Sequence, residues 1–114
     1  MDGREETGRV IQAISGLEGV AAVTRGWPKR EAVLPCVAVV LAGERGAERR
    51  DDAEYLTEVI FYLRIFARTA EGTDALAPSI RRTMADLGYE RDFAWEDADE
   101  RGHYRAERYR AILC

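Results

Sequence analysis

The chain has 114 residues, 46% of them hydrophobic and 33% charged, with a formal net charge of −4. That length suits one domain, residues 1–114, with a radius of gyration of roughly 13–14 Å, and the composition is that of a folded chain with a heavily charged surface. The acidic balance argues against a general nucleic-acid binder, and no apolar run approaches the roughly 20 residues that cross a bilayer.

The opening MDGREETGRV is polar and mixed in charge, so it does not read as a signal peptide, and an intracellular origin is expected. Residues 4–17 read as a helix: Val10, Ile11, Ile14 and Leu17 share one face, leaving Arg4, Glu5, Arg9 and Gln12 for water. GVAAV, 19–23, reads as a short strand or an extended edge. Then comes GWPKREAVLPCVAVV, which spends Trp27, Pro28 and Pro35 on the approach to one apolar run. Each proline holds the residue before it extended, so the segment reads as a stiff lead-in that sets the register of the next strand. Trp27 either packs on the sheet within the chain or lies at a subunit contact.

Residues 36–42, CVAVVLA, are short and valine-rich, which predicts a strand covered on both faces. Cys36 is expected as a small core residue, and with Cys114 it makes no disulfide framework. The charged segment 43–54 follows, with Glu44, Arg45, Glu48, Arg49, Arg50, Asp51 and Asp52. It is long for a hairpin loop, and its mixed charges suit docking onto a complementary partner.

Residues 54–68 carry the strongest pattern in the chain. Tyr55, Thr57, Val59, Phe61, Leu63, Ile65 and Ala67 alternate with Leu56, Glu58, Ile60, Tyr62, Arg64, Phe66 and Arg68. The first set predicts a core face. The second is richer in aromatic and apolar groups than a water-facing strand requires. Either another segment, such as the N-terminal helix or the 19–35 crossover, covers it, or it is a subunit interface. Fifteen extended residues reach about 50 Å, against a partner run half as long, so the strand must bend, bulge or project.

A second helix is expected over 73–87, with Leu76, Ile80, Met84 and Leu87 on one face and Gly88 as a left-handed cap; its regular part is expected to begin near Pro78. Residues 89–95 alternate so as to put Tyr89, Phe93 and Trp95 on one face, EDADERG is an acidic turn, and 103–113 is a final strand. The order α-β-β-α-β-β predicts a single α+β domain: a mainly antiparallel sheet of about four strands with two helices on one face.

Recognisable chemistry is sparse. His103 has no second histidine and no cysteine at metal spacing. Ser15 and Ser79 fall on predicted helices, away from any nucleophile elbow. The segment from Asp97 begins like a calcium loop, but Arg101 and Arg108 occupy ligand positions. The expectation is a protein without catalytic residues, metal or cofactor.

Taken together, the N-terminal helix ending ISGLEGV, then GWP before LPCVAVV, the strand YLTEVIFYLRIFAR, the helix LAPSIRRTMADLGY and the closing YRAERYRAIL resemble the small tail terminator (tail completion, minor tail) proteins of long-tailed bacteriophages and prophages. The resemblance spans about residues 5–113. It implies a structural role: a homo-oligomeric ring, usually a hexamer, that caps the tail tube, ends its polymerisation and joins tail to head. The implied partners are further copies of the chain, the tail-tube protein and a head-completion or neck protein. DNA would pass through the lumen without sequence-specific binding, and no membrane is involved. The protein would work in the host bacterial cytoplasm during assembly and then in the virion tail. On this reading the interface falls on Trp27, Leu56, Glu58, Ile60, Tyr62, Arg64 and Phe66, and the docking loop on 43–54. The alternatives are a ligand-binding or regulatory α+β module that dimerises through its sheet, or another phage neck protein.

Overall fold

The computed structural model describes residues 3–29, 32–46, 56–100 and 102–113. In chain order it has α1 (Gly3–Ser15), β1 (Ala22–Arg25), β2 (Cys36–Gly46), β3 (Thr57–Phe66), α2 (Ala70–Asp86), β4 (Glu90–Asp99) and β5 (Gly102–Leu113). The strands form one five-stranded sheet in the order β1-β2-β3-β5-β4, antiparallel except for β1 with β2. The domain is therefore α+β with both helices on one face, as expected, and β1 makes the sheet five strands wide.

The core lies between that face and the helices. Val59, Phe61, Leu63 and Ile65 of β3 are fully buried against Val10 and Ile14 of α1 and Ile80 and Met84 of α2. Val37 and Val39 of β2 and Tyr109 of β5 complete it. Of the core set expected from this alternation, Val59, Phe61, Leu63, Ile65 and Ala67 are buried, Thr57 is half-buried, and Tyr55 lies outside the described residues.

Helix α2 starts earlier than expected. Thr69 caps it by accepting from the Gly72 amide at 3.1 Å, and Pro78 lies inside the helix. Pro78 and Asp74 both face solvent, so water reaches the Asp74 carbonyl that the proline cannot bond, and the helix continues through it. At the other end Gly88 takes φ +95°; its amide donates to Ala85 O at 3.0 Å and that of Tyr89 to Met84 O at 2.9 Å, the paired bonds of a Schellman cap.

Two bulges correct the expected strands. Strand β2 does not stop at residue 42. It runs to Gly46, pairs with Thr57, and has a register shift between Leu41 and Gly43. The long strand thus has a partner along its length, and Glu44 and Arg45 belong to β2 rather than to a loop. In β4 the shift falls between Arg91 and Phe93. Asp92 is the extra residue, and it reverses the side-chain alternation. Tyr89 therefore enters the core beside Phe61, while Phe93 and Trp95 emerge on the opposite face, contrary to the simple alternation of 89–95.

The lead-in to β2 is not extended throughout as expected: it bends at Gly26–Trp27 and at Leu34–Pro35, and the Ala32 amide donates to Lys29 O at 3.0 Å. The Pro35 carbonyl accepts from the Ala21 and Ala22 amides at 2.9 and 3.3 Å, tying the start of β2 to the start of β1. The Leu34–Pro35 bond is cis.

Candidate interaction surface

The sheet face away from the helices is built from the alternate residues of every strand. The registers place Cys36, Phe66, Tyr104 and Asp97 in one row and Ala38, Arg64, Ala106 and Trp95 in the next. Val40, Tyr62, Arg108 and Phe93 form the third row, then Ile60 and Arg110, then Arg45, Glu58 and Ile112.

The crossover from β1 to β2 covers the β2, β3 and β5 residues of the first two rows and leaves Asp97 exposed and Trp95 half-buried. Trp27 stands edge-on to Phe66 and Tyr104, with ring centroids 6.1 and 5.8 Å apart, and the Arg64 guanidinium lies 4.4 Å from its centroid. Under it Cys36, Ala38, Phe66, Tyr104 and Ala106 form a second, smaller core. The first reading therefore holds for one half of this face. Phe66 is buried within the chain, and Trp27 packs on the sheet as an anchor while remaining 50% exposed.

No described segment covers the remaining rows. Tyr62 meets Trp95 edge-to-face at 5.6 Å, and Trp95 meets Phe93 at 5.5 Å. Phe93 and Ile112 are 56% and 52% exposed. Together with Val40 and Ile60 they make an apolar and aromatic surface, and large exposed patches of that kind mark interaction sites. Ile60 is half-buried within it, and Leu56 is half-buried just before β3 begins.

Most charges interleaved with these rings are already paired. Glu58 accepts from Arg110 Nη2 at 2.8 Å and from Arg45 Nε at 2.8 Å. The bond from Arg110, helped by Arg45 against the opposing effect of burial, holds its carboxyl below the usual range. Asp92 takes a bidentate pair from Arg108, at 2.8 and 3.1 Å, which likewise lowers it. Arg64 is held between Trp27 and Tyr62 rather than by an acid, and its Nε is buried without a hydrogen-bond partner.

Sequence reasoning placed Trp27, Glu58, Ile60, Tyr62 and Arg64 on this face, and they are brought together there. It missed Phe93 and Trp95, because nothing in the sequence announces the bulge at Asp92. Arg108, Arg110 and Ile112 were within reach, since the alternation of 103–113 puts them on one face. Of the expected docking segment, Glu44 and Arg45 lie at the end of β2. Glu44 accepts from the Gly3 amide at 2.7 Å and so anchors the start of α1. Glu48, Arg49, Arg50, Asp51 and Asp52 fall outside the described residues.

Elsewhere, His103 follows the β4–β5 turn, with Nε2 3.5 Å from Glu96 Oε1. Among the described residues no group of three or more His, Cys, Asp or Glu side chains is placed to hold a metal ion, and no helix is long and apolar enough to cross a membrane. Comparison with known protein families and with curated proteins finds no match to this chain.

Proposed function

We propose that this chain is a structural subunit that assembles with itself through the open half of its outer sheet face. On the resemblance of its sequence pattern to tail terminators, we infer that the assembly is a ring capping the tail tube of a long-tailed phage or prophage. The observation that carries self-assembly is the uncovered array of Tyr62, Trp95, Phe93, Ile60 and Ile112, most of whose neighbouring charges are neutralised within the subunit. Aromatic and arginine side chains supply the anchors of protein–protein contacts. A nucleic-acid surface would instead keep its arginines free for phosphate. Arg45, Arg108 and Arg110 are all engaged by carboxylates.

The same face would serve a two-fold dimer of a regulatory module, so particle shape is the decisive measurement. Mass photometry of the dilute protein should find monomers, and negative-stain imaging of concentrated protein, with and without tail-tube protein, should find closed rings. A persistent dimer with no rings, stabilised against heat by a metabolite, would sink the tail assignment.

A further inference from the structure

A second charged surface lies on the helix side of the sheet. A groove of about 700 Å³ runs between α2 and the β4–β5 hairpin, lined by Arg81, Arg82, Arg91 and Arg105, with Asp74 and Pro78 along its wall. Two of the arginines are held in place from below. Glu107, fully buried, accepts from Arg91 Nη1 at 3.0 Å, Arg105 Nε at 2.9 Å and the Tyr109 hydroxyl at 2.6 Å. Each arginine spends one donor group on this carboxylate and keeps others for the groove. Arg81 and Arg82 are exposed on α2 and form no ion pair with any described residue. Four guanidinium groups thus line the groove with Asp74 and the buried Glu107, and Glu90 lines an adjoining pocket with Arg81 and Arg91, in a chain whose net charge is −4. The groove is a local reversal of the overall sign.

The opposite charge is concentrated at the tip of the β4–β5 hairpin, where Glu96, Asp97, Asp99 and Glu100 fall within the sequence EDADER. This tip projects. The β3–β5 ladder ends at Phe66 opposite Tyr104, whereas β4 and β5 pair two steps further, through Ala98–His103 and Asp99–Gly102. Two extra pairs carry the tip roughly 7 Å beyond the end of β3. Glu96 stands across the ladder from Arg105 of its own groove, whereas Asp97, Asp99 and Glu100 lie nearer the end of the hairpin.

We infer that the acidic β4–β5 tip of one copy docks in the arginine groove of another. This rests on the reading that the chain assembles with itself, and it adds a second, electrostatic contact to the apolar one on the outer face. Planar guanidinium groups bind carboxylates in fixed, often bidentate geometry. Among the described residues no aromatic ring lines the groove to stack a base, which favours a carboxylate segment over a nucleic acid. Charge pairs at such a contact set partner register and make association salt-dependent.

Charge reversal tests it in the intact protein. Arg81→Glu/Arg82→Glu and Asp97→Lys/Glu100→Lys alter exposed side chains only, and circular dichroism melts verify that each variant folds. Sedimentation velocity should show each variant alone losing about tenfold or more in self-association, and an equimolar mixture recovering it, because each mutant tip then faces an oppositely charged groove. Rings of wild type that are unchanged by either reversal would refute the tip–groove contact and leave the ring reading standing. A wild-type dimer that responds to the reversals and the mixture as stated supports the contact and removes the ring. Wild type that stays monomeric at the highest attainable concentration overturns both.

Discussion

Phe61 and Tyr62 are adjacent in β3 and point to opposite faces, so they offer a direct test of which face is core and which is contact surface. Phe61 is fully buried and packs edge-on to Tyr89 at 5.5 Å. Phe61→Ala should cost about 3–5 kcal/mol, the usual cost of emptying an aromatic core site. For a domain of this size each kcal/mol lowers the melting temperature by about 4 °C, so the loss should be about 12–20 °C. Tyr62 is half-buried and meets Trp95 at 5.6 Å and the Arg64 guanidinium at 5.6 Å. Tyr62→Glu forfeits one aromatic pair and one cation–π contact, together about 1–2 kcal/mol, or about 4–8 °C. The new carboxylate remains hydrated and lies near Arg64 and Arg108, which limits the loss. The assembly readout runs the other way: a charge at the centre of the apolar array should abolish particle formation in Tyr62→Glu. Thermal melts at low concentration give the first quantity, and sedimentation of concentrated protein the second. If Tyr62→Glu melts as low as Phe61→Ala, or assembles like wild type, the assignment of the outer face to contact is wrong.

Acid should act through Glu6, which is fully buried and accepts from Tyr89 Oη at 2.6 Å and Arg9 Nη2 at 2.9 Å. Burial alone would raise its pKa, but the bonds from Arg9 and Tyr89 outweigh it and leave the pKa lowered. Its stabilising contribution is therefore complete above the ordinary glutamate range and lost as pH falls through the lower folded value. Tyr89→Phe should cost about 1–3 kcal/mol at neutral pH and narrow the gap in urea stability between neutral and acid pH; an unchanged gap would disprove the link. Cys36 is fully buried, and burial pushes its thiol pKa up. In a Cys114→Ser background a thiol reagent should therefore label Cys36 only at the rate of unfolding, and rapid labelling under native conditions would contradict the covered half of the outer face.

What the sequence made legible was whatever repeats at a fixed period. Val59, Phe61, Leu63 and Ile65 alternate without interruption, and the core they predict is the core observed. Gly88 marks the end of α2 because no other residue takes its positive φ without strain. The misreadings occur where one residue breaks a period without a compositional sign. Asp92 shifts the register of β4 and sends Phe93 outward, yet the spacing of Tyr89, Phe93 and Trp95 looks like one uninterrupted face. Pro78 reads as a helix start, but exposure of its turn lets the helix run through it. The extension of β2 to Gly46 passes through Gly43 and charged residues, and it exists because β3 offers an edge to pair with, which is a tertiary cause. The arginine groove was equally out of reach, since Arg81 and Arg82 meet Arg91 and Arg105 only after α2 has packed on the hairpin.

The pairing of charges on the outer face bears on how one surface could be soluble alone and still be buried in an assembly. An unpaired glutamate or arginine taken out of water costs several kcal/mol, which would oppose association at each charged position. Glu58 with Arg45 and Arg110, and Asp92 with Arg108, bring their partners from the same subunit. Part of the desolvation is thus completed on folding, and the rims of these pairs still hydrate the free monomer. Arg64 differs: its guanidinium lies on the Trp27 ring instead of an acid, with Nε already shut off from water. It has donors to offer a facing carboxylate or carbonyl beside the most exposed rings. In the proposed contact the paired charges exclude water around the aromatic array, and among the described residues Arg64 is the cation of the face left to recognise a partner's acceptor. That division of labour requires Arg64→Ala to weaken assembly more than Arg108→Ala, although Arg108 is the one with the ion pair.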